Sequence, residues 1–281
     1  MLKIKVPATS ANLSVGFDTL GLALNIYNEF SFEENDKDDV SAFASEFRVN
    51  NLVLESYKRF FEYYKLNYIP VKINPLKIEI PSSRGLGSSA SCIVAGVMGA
   101  NLISGSLLKP FELLDLCAKI EGHPDNVLPA LVGGLCAAFK LDSEYYFKKY
   151  IPSNKLKIYS LIPPFELKTE LSRSVLPNMY SRSDVVSNLS RIVNLPAAFI
   201  EGDIKLIRAI FDDKIHEPYR YKLIEHSLDV KAYFKDCAVA ISGAGSSLLV
   251  ISDKDIELEE IYGFKITKVL VDNDGVKIDE C

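Results

Sequence analysis

Residues 81–91, Pro81-Ser82-Ser83-Arg84-Gly85-Leu86-Gly87-Ser88-Ser89-Ala90-Ser91, form a glycine- and serine-rich turn that opens a long apolar segment. A turn of this composition at the head of a helix aims several backbone N–H groups at one point. The helix adds partial positive charge there, so the point suits a phosphate. Gly85 and Gly87 open backbone angles closed to other residues and let the chain come close to a ligand. Ser88 and Ser89 add hydroxyls for phosphate oxygens or for a Mg²⁺ ion. The mononucleotide loop G-x-x-x-x-G-K-[ST] is absent, because no lysine follows the second glycine. Taken alone, the turn also fits a tight connection before a helix.

A second concentration of chemistry is Glu121-Gly122-His123-Pro124-Asp125-Asn126. A carboxylate such as Glu121 is the hard oxygen ligand Mg²⁺ prefers, and that ion commonly bridges protein and nucleotide phosphates. Asp125 suits a substrate ammonium or hydroxyl, and His123 can donate or accept. The same segment also reads as a capped helix end, with Asp125 and Asn126 satisfying backbone groups. Asn12 and Asp18 flank Gly16 in a loop after a strand. Thr169 and Arg173 share one face if their segment is helical, and His216-Glu217-Pro218-Tyr219-Arg220 supplies a second arginine. Single arginines are mostly surface charges, whereas two aimed into one site form a fork for a carboxylate; spacing does not decide between these. Ser242-Gly243-Ala244-Gly245 is a second glycine turn, suited to an anion or to tight strand–helix packing.

These residues need elements to hold them. Ile4–Val6 reads as a strand, Pro7–Gly16 as a loop, and Phe17–Phe32 as strands. Residues 33–39, rich in Glu and Asp, read as a solvated hairpin tip. Apolar spacing predicts a helix over Asn51–Lys65, and a strand over Leu76–Ile80 leads into the glycine turn. Ser89–Ile103 is apolar nearly all round and so predicts a buried helix. A further helix spans Phe111–Ile120, and Gly133-Gly134 introduces a strand over Leu135–Lys140. The composition turns to Tyr, Lys, Pro and Asn around residues 145–157, which marks a domain boundary. Beyond it come a strand (Lys157–Leu161), helices near Ser183–Phe199 and Asp203–Phe211, and a strand over Ala238–Ile241. An apolar strand or helix start follows the second glycine turn, and a last strand covers Thr267–Val271. There is no internal repeat and no low-complexity tract.

The chain has 281 residues, 48% hydrophobic and 25% charged, which is ordinary for a globular protein with a sizeable core. Its net charge of −5 argues against a general nucleic-acid binder. No run of about 18 apolar residues is present to span a bilayer. The N-terminus lacks the apolar core and cleavage site of a signal peptide, so a cytoplasmic protein is expected. Cys92, Cys117, Cys136, Cys237 and Cys281 are widely spaced without a C-x-x-C pair and read as small core residues.

Together these segments resemble the homoserine kinases, of the small-molecule kinase superfamily that includes galactokinase, mevalonate kinase and phosphomevalonate kinase. Three superfamily motifs stand in order: Val6-Pro7-Ala8-Thr9-Ser10-Ala11-Asn12-Leu13-Ser14-Val15-Gly16-Phe17-Asp18-Thr19-Leu20-Gly21, then Pro81–Ser91, then Ile241-Ser242-Gly243-Ala244-Gly245. The homoserine kinase branch is marked by Gly122–Asn126, by Thr169 with Arg173, and by Glu217-Pro218-Tyr219-Arg220. The isoprenoid relatives usually carry an Asp where Asn126 falls. Departures from the family pattern are Ser14-Val15 in place of Gly-Pro, Lys119 where Glu is common, and Ser246-Ser247 in place of Pro-Thr.

The resemblance implies an α+β fold: an N-terminal ATP-binding domain related to a ribosomal-protein fold over residues 1–152, and a ferredoxin-like domain over 153–281. It implies ATP on the 81–91 loop, with Mg²⁺ held by Glu121 and one of Ser88 or Ser89, and Asn51 as an adenine-side contact. L-Homoserine is the implied substrate. Its carboxylate falls to Arg173 and Arg220 near the Gly243 backbone, and its amino and hydroxyl groups to Asn12, Asp18, His123 and Asp125, with Thr169 nearby. Asn126 replaces the acid of the relatives, which points to transfer without a dedicated base. Asp18, the γ-phosphate or water remains as proton acceptor. Another acceptor within the superfamily, or a non-catalytic relative, are the alternatives. Relatives of this kind are often homodimers.

Overall fold

The computed structural model describes residues 1–280. Two long strands, β1 (Leu2–Ala11) and β2 (Leu20–Glu34), open the chain. Helix α1 (Leu52–Tyr64), strand β3 (Val71–Ile78) and helices α2 (Ser88–Ile103), α3 (Leu114–Glu121) and α4 (Pro124–Val132) follow. A hairpin of β4 (Leu135–Leu141) and β5 (Glu144–Tyr150) leads to β6 (Lys157–Ile162). Short helices come next: α5 (Thr169–Ser174), α6 (Arg182–Ile192), α7 (Leu195–Glu201), α8 (Ile204–Ile210), α9 (Glu217–Arg220) and α10 (Ser227–Tyr233). Strands β7 (Ala238–Ile241), β8 (Leu248–Ser252), β9 (Glu260–Ile261), β10 (Phe264–Val269) and β11 (Lys277–Glu280) close the chain.

The strands build two sheets, ordered β11-β1-β2-β4-β5 with β3 also on β2, and β7-β8-β6-β10-β9. One face of the first sheet packs on α1–α4, where Ile4, Val6, Phe30 and Phe32 meet Tyr57, Phe60, Ile93 and Val97. Its other face packs on the second sheet and α7–α8, where Ala8, Leu22 and Leu24 meet Ile158, Phe199, Ala240 and Leu249. The outer face of the second sheet is covered as well, which accounts for the unbroken apolar run of β8: Leu248 and Val250 point to one core, Leu249 and Ile251 to the other. Helix α2 is apolar all round because it lies between the sheet and the other helices.

The strand expected at Ile4–Val6 runs on to Ala11, through the segment read as a loop. Proline is admitted there because the β1–β2 register shifts between Pro7 and Ala8, where a ladder N–H is dispensable. The shift also changes which face the even residues take: Ile4 and Val6 join the helix-side core, Ala8 the seam between the sheets. Thr9 is thereby turned toward the helix side. Residues 33–39 end β2 and lead toward α1, so they are no hairpin tip. Residues 144–150, which overlap the first half of the stretch read as a boundary, form β5 paired with β4. The helix expected over Ser183–Phe199 is two helices, since Pro196 occupies the first turn of α7 and cannot continue an earlier one. Cys117 and Cys136 are buried, Cys92 and Cys237 half-buried, and all four are free thiols; Cys281 lies outside the described residues. Among the described residues no helix is long and apolar enough to cross a membrane.

One buried side chain ties the glycine turn to the sheet at both ends. Asn28 of β2, 1% exposed, accepts from the N–H groups of Glu79 (3.1 Å) and Ile80 (3.0 Å) and donates to Ser91 Oγ (2.9 Å). Ser91 in turn donates to the Ser88 carbonyl at 2.8 Å. Replacing Asn28 by leucine strands these groups without partners. Asn28→Leu should lower stability by about 2–4 kcal/mol, read as a drop in Tm.

Candidate active site

The glycine turn is held so that its acceptors face the protein and its donors do not. The carbonyls of four successive residues are taken: Ser83 by Leu167 N–H (2.9 Å), Arg84 by Ser247 N–H (3.1 Å), Gly85 by Ser242 Oγ–H (2.7 Å) and Leu86 by Thr9 N–H (3.1 Å). Among the described residues no acceptor is found for the N–H groups of Arg84, Gly85, Leu86 or Gly87. Gly85 and Gly87 take φ of +71° and +70°. A Cβ on them would lie 2.1 Å from the Ser242 carbonyl oxygen and 2.0 Å from Thr9 Oγ1, so both are needed as glycine. Helix α2 begins directly after Gly87 with no side chain capping it. A row of unpaired amides at an uncapped helix N-terminus is an anion cradle.

Beside this cradle, α3 ends at Gly122 in the left-handed conformation and α4 starts at Pro124. This short reversal places Glu121, His123, Asp125 and Asn126 on one wall. Glu121 accepts from Ser89 Oγ at 2.7 Å, and its pKa is raised by burial against the lowering effect of that hydrogen bond. Asn126 Oδ1 accepts from Thr9 Oγ1 at 2.8 Å, which turns its amide N–H₂ away from Thr9. Asp125 is buried and pushed up to about 7, first by burial and then by Asp18 and Glu121, against Arg173. Burial and the Arg173 charge lower His123.

The opposite wall comes from the second sheet's short helices. Arg173 of α5 binds Asp18 through both terminal nitrogens, at 3.1 and 2.7 Å. Arg220 of α9, 1% exposed, donates from Nε to the Ser172 carbonyl (3.1 Å) and from Nη1 to the Gly243 carbonyl (3.1 Å). Desolvation lowers it to about 10, so it stays charged at neutral pH. Both guanidinium groups lie over the Phe17 ring, 5.5 and 5.2 Å from its centroid. The two arginines therefore converge, which spacing alone left open. Asn12 donates to the Gly243 carbonyl at 2.7 Å and accepts from Asp18 N–H at 3.0 Å.

Cradle and both walls line one cavity of about 300 Å³. Ser83–Ser89, Glu121, His123, Asp125, Asn126, Asn12, Thr169, Arg173, Arg220 and Gly243 all border it. Pro81, Ser82, Ala90 and Ser91 do not: the first two precede the cradle, and the last two are buried in the first turns of α2. Asp18 does not border the cavity and touches it through Arg173 and Asn12, both in its lining. Asn51, expected on the adenine side, is instead the N-cap of α1, accepting from Leu54 N–H and donating to the Phe47 carbonyl. Sequence reading missed Thr9 and Asn28 as supports of the cradle and Phe17 as the platform of the arginines. Only their place in or near the first glycine-bearing motif hinted at them. Among the described residues no three His, Cys, Asp or Glu side chains gather as a metal cluster. A half-buried carboxylate hydrogen-bonded to the Ser89 hydroxyl, with Ser88 on the same cavity, still fits Mg²⁺, which takes its other oxygens from phosphate and water.

Between the ordinary carboxylate range and about pH 7 folded Asp125 keeps a proton that unfolded Asp125 loses. Its contribution to stability therefore falls as pH rises through that window. Asp125→Asn should accordingly stabilise the ligand-free protein at pH 8 by about 1–3 kcal/mol, read as a higher Tm, with the gain vanishing near pH 4. Melting curves at the two pH values check the sign.

A phosphate cradle facing an arginine pair can now be set beside proteins of similar sequence and shape. Residues 51–134 match the GHMP kinases N-terminal domain. Homoserine kinase of Clostridium acetobutylicum is 39% identical over 99% of this chain and 100% of its own length. That of Clostridium kluyveri is 41% identical over 90% and 87%. The crystal structure of homoserine kinase from Cytophaga hutchinsonii superposes with a TM-score of 0.87 at 28% identity, covering 99% of this chain and 97% of the other. Similarity of that depth, end to end and in three dimensions, makes this chain a member of the homoserine kinase family.

Proposed function

We propose that the protein transfers the γ-phosphoryl group of ATP to the side-chain hydroxyl of L-homoserine, giving O-phospho-L-homoserine on the route to threonine. One observation carries the reading: unpaired loop amides and two converging guanidinium groups border the same cavity. The first suit a triphosphate and the second a small carboxylate. The chain is read as two domains, 1–152 and 153–281, with β11 laid back on the first sheet beside β1.

In this reading the amides of residues 84–88 hold the phosphates, and the α2 dipole offsets their charge. Glu121 with Ser88 or Ser89 would hold Mg²⁺, which when bound neutralises charge on the β- and γ-phosphates. Arg220, immobilised by backbone carbonyls, receives the homoserine carboxylate, and Arg173 completes the fork. Asp125, at the head of α4 and facing Arg173 and Asp18, is the partner for the ammonium; binding that cation returns it to the ionised form. The acceptor hydroxyl then lies beside Asn126. Because Thr9 occupies the amide oxygen, Asn126 presents N–H₂, which donates to phosphoryl or acceptor oxygen and removes no proton. Transfer through a loose transition state depends on alignment and charge, so the proton can leave to the phosphoryl group itself.

Two outcomes follow. Arg173→Ala or Arg220→Ala should lower kcat/KM for homoserine at least about tenfold with little change in ATP affinity, the loss of a desolvated carboxylate contact; unchanged homoserine kinetics in both variants would remove them from the site. Thr9→Val, which frees Asn126 to rotate, should lower kcat by about tenfold, one misoriented hydrogen bond in the transition state, while both KM values hold. ADP release measured with homoserine, mevalonate, a sugar and other hydroxy amino acids tests the acceptor directly. Homoserine should stand well above the rest, and preference for another acceptor overturns the proposal.

A further inference from the structure

We infer that His216 is a positioning residue, which holds Arg220 and the Asn12–Ser14 loop in register across the seam between the two sheets. The inference rests on the reading that Arg220 receives the homoserine carboxylate. His216 is fully buried, at the N-cap of α9, one helical turn from Arg220. Its ring spans the gap between the two elements: Nε2 lies 2.7 Å from the Ser14 carbonyl oxygen, and Nδ1 lies 3.2 Å from Arg220 Nη1.

The chemistry of these partners leaves a single state of the ring. A backbone carbonyl can only accept and a guanidinium can only donate. Nε2 must therefore carry the hydrogen, Nδ1 must be bare, and the imidazole is neutral. Burial, with the Arg220 charge beside it, disfavours the imidazolium against the pull of Asp213. Asp213 Oδ2 is 3.7 Å from Nε2, beyond hydrogen-bond reach, and accepts instead from the backbone N–H groups of His216 (2.7 Å) and Glu217 (2.8 Å). Asp213 thus fixes where the histidine sits. The ring itself stacks on Phe17, 5.1 Å between centroids.

What His216 grips on the far side is a strained segment. Asn12, Leu13 and Ser14 take φ of 71°, 45° and 63° in succession, a left-handed run that side-chain-bearing residues avoid. Asn12 donates to the Gly243 carbonyl, the same oxygen that Arg220 Nη1 reaches. Ser14, His216, Arg220, Gly243 and Asn12 therefore close a ring of contacts, and the imidazole is its one member that bridges loop and guanidinium by both of its polar atoms. Without it, Nη1 loses an acceptor and the loop loses its tie at the Ser14 carbonyl, keeping those from Asn12 to the Gly243 carbonyl and from Ser14 Oγ to Glu217.

The test uses the full-length enzyme and separates the two ring nitrogens. The amide of His216→Gln reaches the Nε2 position and can still donate to Ser14, but offers Arg220 no acceptor. His216→Asn keeps an oxygen near the Nδ1 position for Arg220 and gives up Ser14. For His216→Gln we expect a rise of about tenfold in the KM for homoserine, the loss of one hydrogen bond to a charged group, with the KM for ATP within about twofold of wild type. His216→Asn should recover the homoserine KM in part, since the Arg220 contact returns while the tie to Ser14 stays lost. Arg220→Ala is measured alongside. If Arg220→Ala raises the homoserine KM but a folded His216→Gln leaves it unchanged, the role of His216 is overturned and the carboxylate reading stands. If Arg220→Ala itself has no effect, the carboxylate reading fails first. Should His216→Gln not fold, the two-bond proton–nitrogen spectrum of the wild-type histidine rings decides: Nε2 protonated and Nδ1 bare at neutral pH supports the assignment, and an Nδ1–H tautomer or an imidazolium overturns it.

Discussion

The site depends on the way the glycine turn spends its backbone hydrogen bonds. Four carbonyls in succession are satisfied by groups from three different places: the β1 strand, the segment before α5, and the second glycine turn. With every acceptor turned inward, the amides of residues 84–87 have one direction left, toward the cavity. Main-chain donors held in this way need no reorganisation when a phosphate arrives, which is where electrostatic preorganisation is most effective. The same arrangement explains why the two sheets must meet where they do, since Ser242 and Ser247 belong to the second sheet's turn and Thr9 to the first sheet's strand.

The opposite pole obeys the complementary rule. Arg220 is buried in a place where a bare charge would be expensive, and carbonyl oxygens of Ser172 and Gly243 compensate it without neutralising it. Arg173 is instead paired with Asp18 on a partly exposed surface. The two arginines therefore differ in kind: Arg220 is fixed by neutral carbonyls, whereas Arg173, which completes the fork, is held in place by a carboxylate. Asp125, held near neutrality by burial and by neighbouring acids, is a stored cost that a bound ammonium relieves.

Much of this was legible before any coordinates. The buried character of α2, the helix over 51–65, and the strands at 135–140, 157–161 and 238–241 follow from periodicity and from turn residues. So did the cradle itself, because glycines and serines at a helix start have few other uses. Convergence of the arginines was not legible, since α5 and α9 are separated by three helices along the chain and come together only in the fold, where Arg220 Nε donates to the Ser172 carbonyl. Thr9 was hidden by Pro7, which suggested a loop where a bulged strand continues and flips its faces. The resemblance implies Asn51 as an adenine-side contact, whereas the cap it makes uses both ends of its amide. Asn28 sits in an alternating strand whose pattern gives no sign that its buried amide anchors a loop far along the chain.

The most direct test is a structure of the protein with L-homoserine, Mg²⁺ and a non-hydrolysable ATP analogue bound together. The account predicts the β- and γ-phosphates within hydrogen-bond distance of the main-chain nitrogens of residues 84–88, and the amino acid's carboxylate on Arg220 in the same cavity. Phosphates bound elsewhere, or a carboxylate that leaves Arg220 untouched, would contradict it.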